Sequence, residues 1–314
     1  MTVMRSPISA MVAALLIALT SKDTSAQTVL ARVVDGESGQ PVIGALVHLV
    51  APGGEARSST LTDDLGRALF VGVLDGSIYL RAEMIGQATA ETALFSVGHA
   101  ETVSREIRME PSAILLEGID VSASERCEIR GGEEGMVVAE VWNEARKALL
   151  AASITDNRGL YRYETMRYDR DIDAETDAVL SEERQRRDSY MRTPFESKPA
   201  NELVEGGFIQ DDGGADVYYA PDAAALLSDV FLDTHCFRLA EARDIQGFIG
   251  LEFEPTEDRG VPDIRGAMWL DPATAELQWL EYSYTGLDRE RRSPRVGGRV
   301  EFRRMTDGSW MVPE

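Results

Sequence analysis

The rhythm of residues 28 to 109 constrains the fold more than any other feature. Short runs with β-type alternation occur at Val29 to Asp35, Val42 to Val50, Arg57 to Thr62, Ala68 to Val73, Ser77 to Ile85 and Glu101 to Met109. Turn residues cut them about every ten positions. About seven short strands at that spacing, with no helical period among them, indicate a β-sandwich. Gly39 and Gly66 fall where tight turns need positive φ, and Pro41 opens a strand where its missing donor is harmless. From Val42 onward, alternation places Ile43, Ala45, Val47 and Leu49 on a core face and turns His48 the other way beside Leu46 and Val50.

The ordered strings VVDGESGQPVIGALVHLV and TLTDDLGRALFVGVLDGSIYLRAEMIG resemble the carboxypeptidase regulatory-like domain. This is a small transthyretin-like sandwich placed at the start of many exported bacterial proteins. The resemblance implies that residues 27–110 form an accessory module without catalytic residues. A zinc carboxypeptidase needs paired His and Glu ligands near in sequence and a third beyond them. His48, His99 and His235 lie far apart, and none has a Glu three positions along. The peptidase activity therefore does not follow from the fold.

Residues 1–26 read as a secretory signal peptide. Arg5 precedes a ten-residue apolar run from Ala10 to Leu19, and Thr24-Ser25-Ala26 supplies small residues before the expected cleavage. Ten apolar residues are about half of what a ~30 Å hydrocarbon core demands, so no transmembrane segment is expected in the mature chain. Export leads to a periplasmic or secreted location. It also permits a disulfide between the two cysteines, Cys127 and Cys236. The formal charge of −22, from 54 acidic and 32 basic residues, argues against nucleic acid as a partner. A phosphate backbone is bound by clustered Lys and Arg, and no such cluster stands free of acids.

Leu115 to Ala123, LLEGIDVSA, resembles the segment joining this module to the plug of TonB-dependent receptors. Only 191 residues remain after it, too few for a plug and a barrel of 22 strands of roughly ten residues each. Residues 111–134 are instead read as a linker, with Gly131, Gly132 and Gly135 supporting a flexible connection. Residues 135–314 form the second expected domain. Its one amphipathic helix, Met136 to Ala152, gathers Val138, Val141, Trp142, Ala145, Ala148, Leu149 and Ala152 on one face. Glu140 near its start and Arg146 and Lys147 toward its end suit the helix dipole. Long β-type segments follow, among them Gly159 to Arg170, Glu175 to Met191, Phe231 to Ala240, Gln246 to Glu254, Asp263 to Asp271 and Glu276 to Tyr284, with a helical turn at Asp222 to Leu227.

The stretch AMWLDPATAELQWLEYSYTGL and then GGRVEFRRMTDGSWMVP resembles the terminal hairpins of lipoprotein-carrier-like domains. These are exported proteins in which helices cover the concave side of a curved antiparallel sheet, and several bind acyl chains there. The fold class is accordingly mainly β: an N-terminal β-sandwich, then an α+β domain with a curved antiparallel sheet and a covering helix. Between Glu276 and Tyr284, Leu277 and Trp279 lie on one face and Leu280, Tyr282 and Tyr284 on the other, so both faces are partly apolar and the second needs a cover, a partner or a ligand.

Chemistry is sparse. The chain has no GxSxG elbow, phosphate loop, GxGxxG fingerprint, HExxH or CxxC. His235 and Cys236 are adjacent on a strand and point to opposite faces, so they do not share a proton. Asp211 to Asp216 lacks the ligand spacing of a calcium loop. No catalytic residue, metal or cofactor is expected. The expected function is a non-enzymatic exported binding or envelope-scaffolding protein, its partner an envelope protein, a glycan or a lipid. The alternative is a periplasmic acyl-chain or lipoprotein carrier or sensor, with Phe253, Trp269, Trp279 and Tyr282 lining the ligand site. A hydrolase using carboxylates such as Glu252 and Glu254 has only their presence in its favour.

Overall fold

The computed structural model describes residues 27–112, 133–159, 161–173, 176, 178–190, 197–213, 215–240, 247–287 and 296–312. The expected signal peptide, most of the expected linker and Cys127 lie outside the described residues. The chain is mainly β and begins with a sandwich. One sheet joins β1 (Thr28–Asp35) to β4 (Arg67–Val71) and to β8 (Thr102–Met109) in the order β4-β1-β8. The other has the order β3-β2-β5-β6, from β2 (Leu46–Val50), β3 (Ala56–Leu61), β5 (Gly76–Met84) and β6 (Gln87–Glu91), with β7 (Phe95–Val97) also paired to β5. Val29, Ala31, Val33, Val47, Leu49, Phe70, Ile78, Leu80, Ile107 and Met109 fill the space between them. Gly39 and Gly66 both adopt φ of 69° in their turns, as the sequence requires.

One expectation for the first strand region is corrected. The strand begins only at Leu46, because a turn at Ile43-Gly44, with Gly44 at φ 75°, breaks the alternation. Val42 therefore enters the core in place of Ile43. His48 points away from that core, as the alternation requires, yet is only 9% exposed, and all five β2 residues are buried. The cover is a helix that follows the sandwich in sequence.

That helix, α1 (Glu133–Arg158), lies between the sandwich and a five-stranded antiparallel meander. The meander runs β13 (His235–Leu239), β14 (Ile249–Pro255), β15 (Asp263–Leu270), β16 (Leu277–Thr285) and β17 (Gly297–Glu301) in sequence order. Val141, Ala145, Ala148, Leu149 and Ala152 of α1 share one apolar cluster with Leu251, Phe253, Met268 and Leu280 of the sheet, and Leu46, Leu61 and Ile85 of the sandwich join it. The small alanines let both sheets approach the helix closely. Before the meander come the paired strands β9 (Arg162–Ile172) and β10 (Val179–Tyr190), then α2 (Ala200–Gly206), the hairpin β11 (Ile209–Asp212) and β12 (Ala215–Tyr218), and the short helices α3 (Ala223–Leu226) and α4 (Asp229–Thr234). The chain closes with β18 (Arg303–Arg304) paired to β19 (Trp310–Met311).

Capping explains where the expected strand at Phe231 failed. Asp222 accepts from Ala225 N at 2.8 Å to start α3, and Ser228 Oγ accepts from Phe231 N at 3.2 Å to start α4. Residues up to Thr234 are therefore helical, and the strand starts at His235. A second correction concerns β16. The register shifts between Trp269 and Leu270, so Trp269 faces Trp279 but Leu270 faces Leu277, leaving Gln278 as the extra residue of a bulge. Leu277 therefore joins Leu280 on the helix side, while Trp279 points the other way.

Candidate functional site

The two faces of the meander carry different surfaces. On the helix side, a cavity of about 570 Å³ opens between α1, the start of β9, the segment before α3, and β16 and β17. Leu149, Ala152, Leu226, Leu280, Val300, Phe302 and Val312 make its apolar wall. Ser153, Asn157, Glu164, Thr165, Asp222 and Arg299 also line it, with Asp156 and Tyr163, whose Oη donates to Asp156 Oδ1 at 2.9 Å. Burial raises the Asp156 carboxyl above its usual range, against the lowering effect of that hydrogen bond. Burial and then the Asp156 contact raise the Tyr163 hydroxyl. Its volume falls in the range of small-molecule sites.

On the opposite face, a groove of about 720 Å³ is bordered by Arg238, Glu252, Glu254, Arg265, Trp269, Glu281 and Arg299. Arg238 ties both carboxylates, donating to Glu252 at 2.6 Å and Glu254 at 2.7 Å. The pair named as a possible acid–base couple is thus held in one structural ion cluster. Trp269 and Trp279 stack with centroids 6.0 Å apart. Trp269 Nε1 donates to Glu281 at 2.9 Å, and the Arg299 guanidinium lies 4.5 Å from the Trp279 ring centre.

Three of the four expected ligand residues, Phe253, Trp269 and Tyr282, border this groove, and Trp279 does not. Phe253 and Tyr282 pack on the α1 side, Phe253 fully buried within 5.7 Å of the Phe231 ring. Trp269 and Trp279 are buried on the other side with Ala267, Ala240 and Phe248. None of the four lines the helix-side cavity. The residues that do were missed because Asp156 sits beyond the apolar stripe read on α1, and Tyr163 on a strand read only as β-type. A polar residue one turn past an apolar helical stripe is the signal that was available.

The buried ionic groups are structural. Lys147 spends its three donors on Glu144 Oε1 at 2.6 Å, Gln87 O at 2.8 Å and Met84 O at 3.1 Å, while Glu144 Oε2 accepts from Gly86 N at 2.9 Å. This knot joins α1 to the β5–β6 turn. Beside it, Glu83 accepts from Arg146 at 2.7 Å and lies 3.9 Å from His48, whose Nδ1 is 2.7 Å from Ser59 Oγ. His235 stands 3.2 Å from Asp263, which accepts from Arg259 at 2.6 Å. Cys236 is disulfide-bonded; Cys127, its expected partner, lies outside the described residues. Among the described residues no cluster of His, Cys, Asp and Glu is arranged to hold a metal ion, and no helix is long and apolar enough to cross a membrane.

Residues 28–110 match the family model of the carboxypeptidase regulatory-like domain. Among solved structures, the Bacillus anthracis TIE protein is similar over 27% of this chain and 17% of its own length, at 16% identity and a TM-score of 0.25. A streptococcal ancillary pilin is similar over 29% of this chain and 34% of its own, at 16% identity and a TM-score of 0.22. The minor pilin of Streptococcus agalactiae is similar over 32% and 48%, at 19% identity and a TM-score of 0.23. The chain thus spans less than half the length of each. No curated protein sequence matches the chain.

Proposed function

We propose that the chain is an exported, non-enzymatic binding protein of the cell envelope. The sandwich and α1 form its frame, and an acyl-chain-sized apolar group is the ligand of the helix-side cavity. The observation that carries this reading is the cavity of about 570 Å³ with its largely apolar wall, within the size range of small-molecule sites. The engagement of Glu252, Glu254, His48 and His235 in ion pairs or hydrogen bonds favours binding over catalysis. The carboxypeptidase regulatory-like match agrees with an exported, accessory role for residues 28–110. The disulfide partner of Cys236 is taken to be Cys127, the other of the two cysteines.

Native mass spectrometry on mature protein purified from a periplasm without detergent tests the reading. The expected result is a stoichiometric apolar adduct, removed by solvent extraction and lost on Val300→Trp, which fills the cavity from β17. The protein mass should be two hydrogens light and carry no free thiol. A ligand-free wild type that takes up no acyl probe would overturn the cavity assignment. A second reading rests on the opposite groove, whose charged lining of Arg238, Glu252, Glu254, Arg265 and Glu281 suits a polar protein or glycan partner. It predicts binding of an envelope polymer that Val300→Trp leaves intact and Arg265→Glu weakens.

A further inference from the structure

Among the polar side chains of the helix-side cavity is a half-buried carboxylate that an acyl chain alone leaves unused. Asp156 Oδ1 accepts from Tyr163, and among the described residues Oδ2 has no hydrogen-bond or ion-pair partner. The other charged side chains of the lining each have a partner, Asp222 accepting from Ala225 N at 2.8 Å and Ser197 N at 3.0 Å. Glu164 pairs with Arg186 at 2.5 Å, and Arg299 pairs with Glu301 at 3.2 Å while covering Trp279. Asp156 thus presents a half-buried carboxylate oxygen beside the apolar wall, in a chain of formal charge −22. A carboxylate in such surroundings is stabilised by a cation or a strong hydrogen-bond donor and repels a second anion.

We infer that Asp156 selects the polar end of the ligand, so that the cavity takes an amphiphile bearing a protonated amine in preference to one bearing a carboxylate. The inference rests on the binding-protein reading above and adds the head group to it. The chain of the amphiphile lies against Leu149, Leu280, Val300 and Phe302, and its ammonium donates to Asp156 Oδ2. Tyr163 holds the carboxyl group in place through the other oxygen.

Displacement of the neutral fluorescent probe N-phenyl-1-naphthylamine by dodecylamine, dodecanol and dodecanoate tests this. For the wild type, the amine should displace the probe at a concentration lower than the alcohol by about tenfold or more, the scale of one hydrogen bond to a charged group. Dodecanoate should be the weakest of the three. In Asp156→Asn the alcohol should displace as before and the amine advantage should vanish. Removing one unit from a charge of −22 leaves non-specific attraction of amines nearly unchanged, so a retained advantage in Asp156→Asn would overturn the inference. Tyr163→Phe keeps the carboxylate and should keep the preference for the amine. Probe uptake without head-group preference in the wild type would overturn this inference alone; no probe uptake would overturn the cavity reading with it.

Discussion

Lys147→Met is the most informative perturbation of the frame that holds the cavity. The Lys147 and Glu144 side chains are 3% and 5% exposed, and Lys147 satisfies two of its donors across the boundary between α1 and the sandwich and the third on Glu144 of α1 itself. Methionine keeps the length of the apolar stem and removes the ammonium. It leaves the Glu144 carboxylate buried opposite two carbonyl oxygens, Met84 O and Gln87 O, with only Gly86 N as a donor. Breaking a buried pair by removing one partner costs about 3–5 kcal/mol. That is a large part of the ~5–15 kcal/mol that keeps a domain folded. Urea unfolding at neutral pH, followed by tryptophan fluorescence and far-UV circular dichroism together, reads the change. The double variant Glu144→Gln/Lys147→Met removes both charges and should recover roughly 1–3 kcal/mol of the loss, the coupling expected of contacting residues. A cost for Lys147→Met of about 1 kcal/mol or less, the value of an exposed pair, would refute the reasoning. So would a double variant costing the sum of the two singles.

Two further outcomes follow from the same boundary. Gly44 has φ 75°, and a Cβ there would lie 2.2 Å from Gly308 O of the β18–β19 turn; Gly44→Ala should lower stability by more than the ~1–2 kcal/mol of a left-handed L-residue alone, measured by thermal denaturation. His48 titrates within this boundary, where burial lowers its pKa against the pull of Glu83, and Arg146 and Arg81 lower it further. Because the unfolded imidazole takes up its proton near pH 6.5 and the folded one resists until lower pH, wild-type stability should fall as pH drops below about 6.5. His48→Gln should flatten that slope; parallel curves for the two proteins from pH 7 to 5 would sink the assignment.

Local pattern made much of this molecule legible. The alternation of Ala68 and Phe70 against Leu69 and Val71, the turns at Gly39 and Gly66, and the family strings within residues 28–110 identified the sandwich. The apolar stripe of α1 likewise marked a covering helix. The candidate site was legible only in part, since Phe253, Trp269 and Tyr282 border the outer groove but none lines the helix-side cavity. Phe253, Trp269, Trp279 and Tyr282 divide between two faces, while the cavity wall draws on α1, β9, β16, β17 and the last residues before 312, elements distant in sequence.

The sequence by itself determined the β-rich character, the turns, the helix and the sides of most strands, because each follows from contacts within a few residues and from the repeat of side chains along one element. Only the tertiary structure decided what covers each face. Periodicity states that Leu46 and His48 share a side of β2; it does not state that α1 lies on it. It places Lys147 near a helix end, but only the arrival of the β5–β6 turn supplies Met84 O and Gln87 O and makes its burial tolerable. It assigns Leu277 by parity until the pairing with Leu270 inserts a bulge. In each case the deciding energy comes from a partner far along the chain, where the local pattern carries no record of it.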